Sequence, residues 1–203
     1  VMGLPELGMA ADVHASFRGL IHQPHGMILS TGPTGSGKST TLYAALQELT
    51  ALTTNIMTIE DPVEYQLPGI GQIQVRPNIG LNFASGLRSI VRQDPDVLMV
   101  GEIRDLATAR VAVQAAQTGH LVLSTLHCND AVHALVRLQD LGLPSYHVAT
   151  CLRLITAQRL VRRLCLHCRH LTRHAHGQAP GCANCKAGFK GRVGLFEVLP
   201  ISA

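Results

Sequence analysis

Tryptophan is absent from the 203 residues, and aromatic side chains make up only 3%. That leaves little surface on which nucleobases could stack, and it weighs against a nucleic-acid binder. No apolar run is long; Leu121-Val122-Leu123 is typical, so no segment reads as a membrane-spanning helix. The first residues carry no basic stretch followed by an apolar block, so no secretory leader is legible and a cytoplasmic protein is the simplest expectation. Acidic residues are nearly missing from the end of the chain. Residues 151–203 hold one Asp+Glu against nine Lys+Arg, a net of +8, whereas residues 1–150 hold twelve against eight, a net of −4. Five of the six cysteines and four of the eleven histidines share that basic tail, Cys165, Cys168, Cys182 and Cys185 among them. With 46% hydrophobic and 15% charged residues the composition is globular, and the shift along the chain predicts a body plus a short Cys-rich module.

The body reads as alternating strands and helices. Asp12 is the expected N-cap of a first helix, with Val13, Phe17, Leu20 and Ile21 on one face. Strands are expected over 27–31, 55–59, 72–75, 97–100 and 121–125. Helices are expected after Lys38, from Asp105, after an Asp130 cap, and from Pro144 to about Arg163. Such alternation predicts an α/β fold with a parallel sheet covered on both faces, in an order the sequence does not reveal.

The first strand runs into Gly32-Pro33-Thr34-Gly35-Ser36-Gly37-Lys38-Ser39-Thr40. The pattern G-x-x-x-x-G-K-[ST] between a strand and a helix is a specific phosphate-binding signature. Glycines let successive backbone N–H groups turn inward around phosphates, and a helix N-terminus adds partial positive charge. Lys38 would supply charge to the β- and γ-phosphates of ATP, and Ser39 a hydroxyl to Mg²⁺. Two acidic clusters stand at strand ends, Glu60-Asp61-Pro62-Val63-Glu64 and Gly101-Glu102. Beside a phosphate loop, they are candidates to hold Mg²⁺ and to orient a water. The aspartate that usually ends such a strand is replaced here by Gly101. His120 and His127 bracket the strand 121–125, and by themselves read more readily as hydrogen-bonded structural groups than as ligands or sensors.

Cys165-x₂-Cys168 and Cys182-x₂-Cys185, 13 residues apart, have the spacing of two knuckles closing a tetrahedral Zn²⁺ site. Disulfides and unliganded thiols are the alternatives, and His167, His170, His174 and His176 are spare ligands.

Together these strings resemble the secretion ATPases of type II secretion and type IV pilus assembly, the GspE/PilB type. GPTGSGKSTTLYAAL (32–46) resembles that family's Walker A segment and TIEDPVE (58–64) its Asp box. DPDVLMVGEIRD (94–105) resembles its atypical Walker B and TGHLVLSTLHCNDA (118–131) its His box. AQRLVRRLC (157–165) and GRVGLFEVLP (191–200) match later segments, and Cys128 departs from the family's usual threonine. The resemblance implies a RecA-like P-loop ATPase domain over 1–160, a tetracysteine module over 161–190 and a returning strand over 191–203. It makes Glu64 the catalytic carboxylate and Glu102 the group that holds Mg²⁺ and water. It places His120 and His127 around the nucleotide, and Arg88 and Arg92 at the nucleotide or a subunit interface. It also implies ATP, Mg²⁺ and Zn²⁺ as cofactors, and a cytoplasmic homo-hexamer docked on an inner-membrane platform protein. Retraction motors of the family generally lack the tetracysteine element, so an assembly or secretion motor is expected. The family's preceding domain, which supplies arginines to the active site, would lie before this segment, and without it turnover would be weak.

Overall fold

In the computed structural model, residues 2–51, 53–169 and 181–201 are described. Seven strands form one sheet: β1 (Gly26–Thr31), β2 (Ile56–Glu60), β3 (Gly71–Gln74), β4 (Val97–Val100), β5 (Leu121–Leu126), β6 (Leu152–Leu164) and β7 (Phe189–Pro200). Their order is β3-β2-β4-β5-β1-β6-β7. All neighbours are parallel except β6 and β7, which form an antiparallel hairpin. Side-chain alternation sorts each central strand onto two cores. Met27 and Leu29 of β1, Leu98 and Val100 of β4 and Val122 of β5 face helices α3 (Phe83–Ile90), α4 (Leu106–Gln117), α5 (Ala131–Asp140) and α6 (Ser145–Cys151). Ile28, Met99, Leu121 and Leu123 face α1 (Ala11–Ile21) and α2 (Lys38–Leu49), together with a short 3₁₀ turn at Leu4–Leu7. This is the expected mostly parallel, doubly covered α/β sheet.

Two expectations are corrected. Asp12 lies inside the first turn of α1, and the N-cap is Ala10, which makes no side-chain hydrogen bond; Asp12 there complements the helix N-terminus without capping it. The helix expected from Pro144 to Arg163 ends at Cys151, and residues 152–164 are a strand. The run Leu152–Ala157 is apolar enough to fit either structure. Parallel pairing with β1 on one side and antiparallel pairing with β7 on the other decides for the strand. Asp105 and Asp130 do cap α4 and α5, their carboxylates accepting from Thr108 N–H and His133 N–H at 2.8 Å.

Candidate functional site

Because β1, β2, β4 and β5 are parallel, the segments after Thr31, Glu60, Val100 and Leu126 emerge at one edge of the sheet. They enclose a cleft of about 410 Å³. The glycine loop forms its floor. Gly32 (φ +143°) and Gly37 (φ +92°) adopt conformations that side chains rarely take. A Cβ would meet Gln158 O at 2.4 Å from the first and Gln158 Nε2 at 2.8 Å from the second. Lys38 is buried, and its Nζ donates to Gly32 O at 2.8 Å and Pro33 O at 3.1 Å. Burial pushes the lysine down from its ordinary range, opposed by the charge of Glu102.

The two expected carboxylates both line this cleft, in different settings. Glu64 is exposed, on the loop between β2 and β3, and its backbone N–H donates to the Tyr43 hydroxyl at 3.3 Å. Glu102 is 8% exposed. Its Oε1 lies 2.6 Å from Arg104 Nη2. Its Oε2 stands 3.3 Å from His127 Nε2, within ion-pair reach but without hydrogen-bond alignment, and is buried with no hydrogen-bond partner. Ser36 Oγ in the loop is buried and unpartnered too. Buried polar atoms are ordinarily satisfied by protein, water or ligand, and a ligand in the cleft would satisfy these two. A buried carboxylate oxygen, the cleft-lining Ser39 and a lysine at the end of a glycine loop fit a Mg²⁺–polyphosphate.

Glu60 also reaches the cleft but is spoken for, accepting from Tyr43 Oη, Thr58 Oγ1 and Gln72 Nε2. Among the sequence-expected groups, Thr34 to Thr40, Glu64, Glu102 and His127 line the cleft. Gly32 and Pro33 lie just behind it, their carbonyls held by Lys38. His120 stands at the opposite end of β5, its Nδ1 2.9 Å from Ala115 O. Arg88, on α3, and Arg92, in the turn after it, are exposed and do not line the cleft. Leu160 and Arg192, from β6 and β7, do line it and were not anticipated. They lie more than 120 residues from the glycine loop in sequence, and only the hairpin brings them back. Gln158 was also missed; buried under the loop, it accepts from Thr41 Oγ1 at 2.8 Å.

The model that matches residues 1–203 is that of the type II/IV secretion system proteins. The chain belongs to this family. A relative in Pseudomonas aeruginosa, type II secretion system protein HxcR, is 57% identical over 199 residues, covering 98% of this chain and 42% of the relative. Type II secretion system ATPase E of Vibrio cholerae is 52% identical over 215 residues, with 98% and 43% covered. Among solved structures, the pilus retraction motor PilT with bound ADP superposes with a TM-score of 0.78 at 32% identity, over 100% of this chain and 54% of that one. The chain thus spans less than half the length of those curated secretion relatives.

The four cysteines form a second centre. Their sulfurs all lie within 4.8 Å of one another, and Cys165–Cys182, Cys168–Cys185 and Cys182–Cys185 are 3.8, 3.7 and 3.7 Å apart. Four thiolates about 2.3 Å from a tetrahedral Zn²⁺ would sit about 3.75 Å apart, so the set fits that ion. The same separations are far beyond a disulfide bond of about 2.05 Å. Against desolvation, the Cys182 N–H aimed at its sulfur from 3.2 Å holds the Cys185 thiol down at about 7. Cys168 is pushed up to about 12 by desolvation and by the neighbouring sulfurs. His170, His174 and His176 lie outside the described residues.

Proposed function

We propose that this protein is the motor of a type II secretion or type IV pilus assembly machine, hydrolysing ATP to drive assembly of a pilus or pseudopilus. One observation carries the reading: the glycine loop, Glu64 and Glu102 meet in one cleft at the carboxyl edge of the sheet. The loop N–H groups and Lys38 would hold the phosphates, while Ser39 and Glu102 would hold Mg²⁺, which neutralises charge on the transferring phosphoryl group. Glu64, exposed at the cleft wall, would orient the attacking water and take its proton. His127, paired with Glu102, would respond to the γ-phosphate. His120, Arg88 and Arg92, outside the cleft, would serve at the boundary with a neighbouring subunit of a homo-hexamer. The Cys cluster and the names of the two secretion relatives favour the assembly or secretion branch over retraction.

On this reading residues 1–160 are the ATPase body, 161–190 a zinc-stapled module and 191–203 a returning strand. The basic module would face an acidic surface of the inner-membrane platform protein, on the cytoplasmic side; among the described residues no helix is long and apolar enough to cross a membrane. The test is ATPase activity of the full-length protein, wild type against Glu64→Gln, with oligomeric state measured alongside. A general base contributes about 10²–10⁴-fold, so kcat falls by that order while nucleotide still binds. Equal rates would sink the assignment of Glu64.

A further inference from the structure

Glu64 sits on a largely exposed ten-residue connection, 61–70, with no regular structure of its own and Leu67 as its one buried side chain. A group that must meet a water and a γ-phosphate cannot wander, since about 1 Å of misplacement can cost 10²-fold in rate. Something must fix that loop, and the buried side of β2 holds the means. Tyr43 is fully buried on α2, the helix that leaves the glycine loop. Its hydroxyl donates to Glu60 Oε2 and accepts from the Glu64 N–H at 3.3 Å. On β3, Gln72 donates from Nε2 to Glu60 Oε1 at 3.1 Å and to Tyr65 O at 3.3 Å, and its Oε1 accepts the Leu67 N–H at 2.7 Å. The Tyr65 ring meets the Tyr43 ring edge-on, centroids 4.7 Å apart.

We propose that Tyr43 and Gln72 are positioning residues for hydrolysis: joined through the buried Glu60, they fix the 61–70 loop and so set where Glu64 stands. The proposal rests on the assignment of Glu64 made above. Neither Tyr43 nor Gln72 lines the cleft, so both act through Glu64 and not on nucleotide. Glu60, 3% exposed, is the anion on which both ends converge. Burial first, and then the bond to Glu60, push the Tyr43 hydroxyl above the usual tyrosine range, so it remains a donor at neutral pH. Since Tyr43 rides on α2, a shift of the glycine loop and its helix is passed directly to the backbone of Glu64.

The experiment uses full-length protein, steady-state and single-turnover hydrolysis, and binding of a fluorescent ATP analogue. Tyr43→Phe keeps the ring and removes only the hydroxyl. It is expected to lower kcat by about 10–100-fold and leave analogue affinity within about two-fold. Gln72→Leu gives the same split, and Glu60→Gln, which can still accept from Tyr43, loses less than either. The deciding arm is coupling. Placed on Glu64→Gln, Tyr43→Phe costs nothing more, because the group it positions is already gone. A purely structural tyrosine would slow both backgrounds by the same factor, and that result overturns the proposal. So does wild-type kcat in both Tyr43→Phe and Gln72→Leu when Glu64→Gln is slow, or a loss that lies in affinity. If Glu64→Gln itself turns over at the wild-type rate, the assignment of Glu64 falls and takes the brace with it. Should Tyr43→Phe fail to fold, Gln72→Leu is judged by the same criteria in both backgrounds.

Discussion

Glu60, Glu64 and Glu102 share one cleft, yet their partners assign them different work. Glu60 has its oxygens taken by neutral donors, so it organises structure. Glu102 keeps one oxygen buried and without a hydrogen bond, within electrostatic reach of the buried Lys38, an arrangement that a bound cation would complete. Glu102→Gln in the full-length protein is therefore expected to bind nucleotide in the absence of Mg²⁺ as well as wild type does. The tightening that Mg²⁺ brings should be lost, and kcat should fall by about 10²-fold or more. Nucleotide titrations with and without Mg²⁺ check this, and an unchanged Mg²⁺ effect would return Glu102 to a structural role. The carboxylates were legible in the sequence because each belongs to an acidic cluster at or just beyond a strand end, beside a phosphate loop. Tyr43 was not, because a tyrosine among Leu42, Ala45 and Leu46 reads as core, and only the fold places Glu60 against its hydroxyl. Arg192 was hidden for a different reason: its neighbours in sequence say nothing about a glycine loop more than 150 residues upstream.

At the scale of elements, the phosphate-loop helix α2 is tied to α1 by one polar link, the ion pairs of Glu48 with Arg18 and His22. Burial would raise the Glu48 carboxyl, but hydrogen bonds from Arg18 and His22 outweigh it and hold the group below its ordinary range. A carboxylate lowered on folding adds stability that is fully present above its unfolded pKa and fades as pH drops through the folded one. The link is exposed and screened, so its contribution at neutral pH is about 0.2–1 kcal/mol. Thermal unfolding of wild type and Glu48→Gln should therefore differ slightly at neutral pH and converge below about pH 4. A gap that persists in acid would assign the effect to packing. The helix starts at Asp105 and Asp130 and the glycine loop were readable here, since they carry their own chemistry, whereas Asp12 has the same chemistry but lies inside its helix. The stretch 152–163 was not, because Leu152-Arg153-Leu154-Ile155 suits a helix face as well as a buried strand. Its identity is settled by β1 and β7, both distant in sequence.

The molecule as a whole is organised around the β6–β7 hairpin, which joins its two centres. Gln158 of β6 lies under the glycine loop, while Leu160 and Arg192 face the cleft. Cys165 follows directly on β6, and the pair Cys182 and Cys185 closes on it shortly before β7 begins. Leu160 to Cys165 is five residues, or about 17 Å of strand, so the cluster lies on the same hairpin that lines the cleft. Among the described residues few large apolar side chains surround the sulfurs, and a metal is the natural source of order in so small a core. Full-length protein purified without chelators is expected to carry one Zn²⁺ per chain. Cys168→Ser should lose the ion and lower Tm by several degrees, with nucleotide affinity falling a few-fold as Leu160 and Arg192 lose their fixed strands. Zinc is held by thiolates, with which protons compete, so retention should weaken as pH falls. Metal analysis, thermal unfolding and analogue binding on the same samples separate the possibilities. Zinc-free protein with unchanged Tm would remove the staple. Loss of zinc and Tm with unchanged affinity would confine the cluster to the hairpin's own stability and cut its link to the cleft.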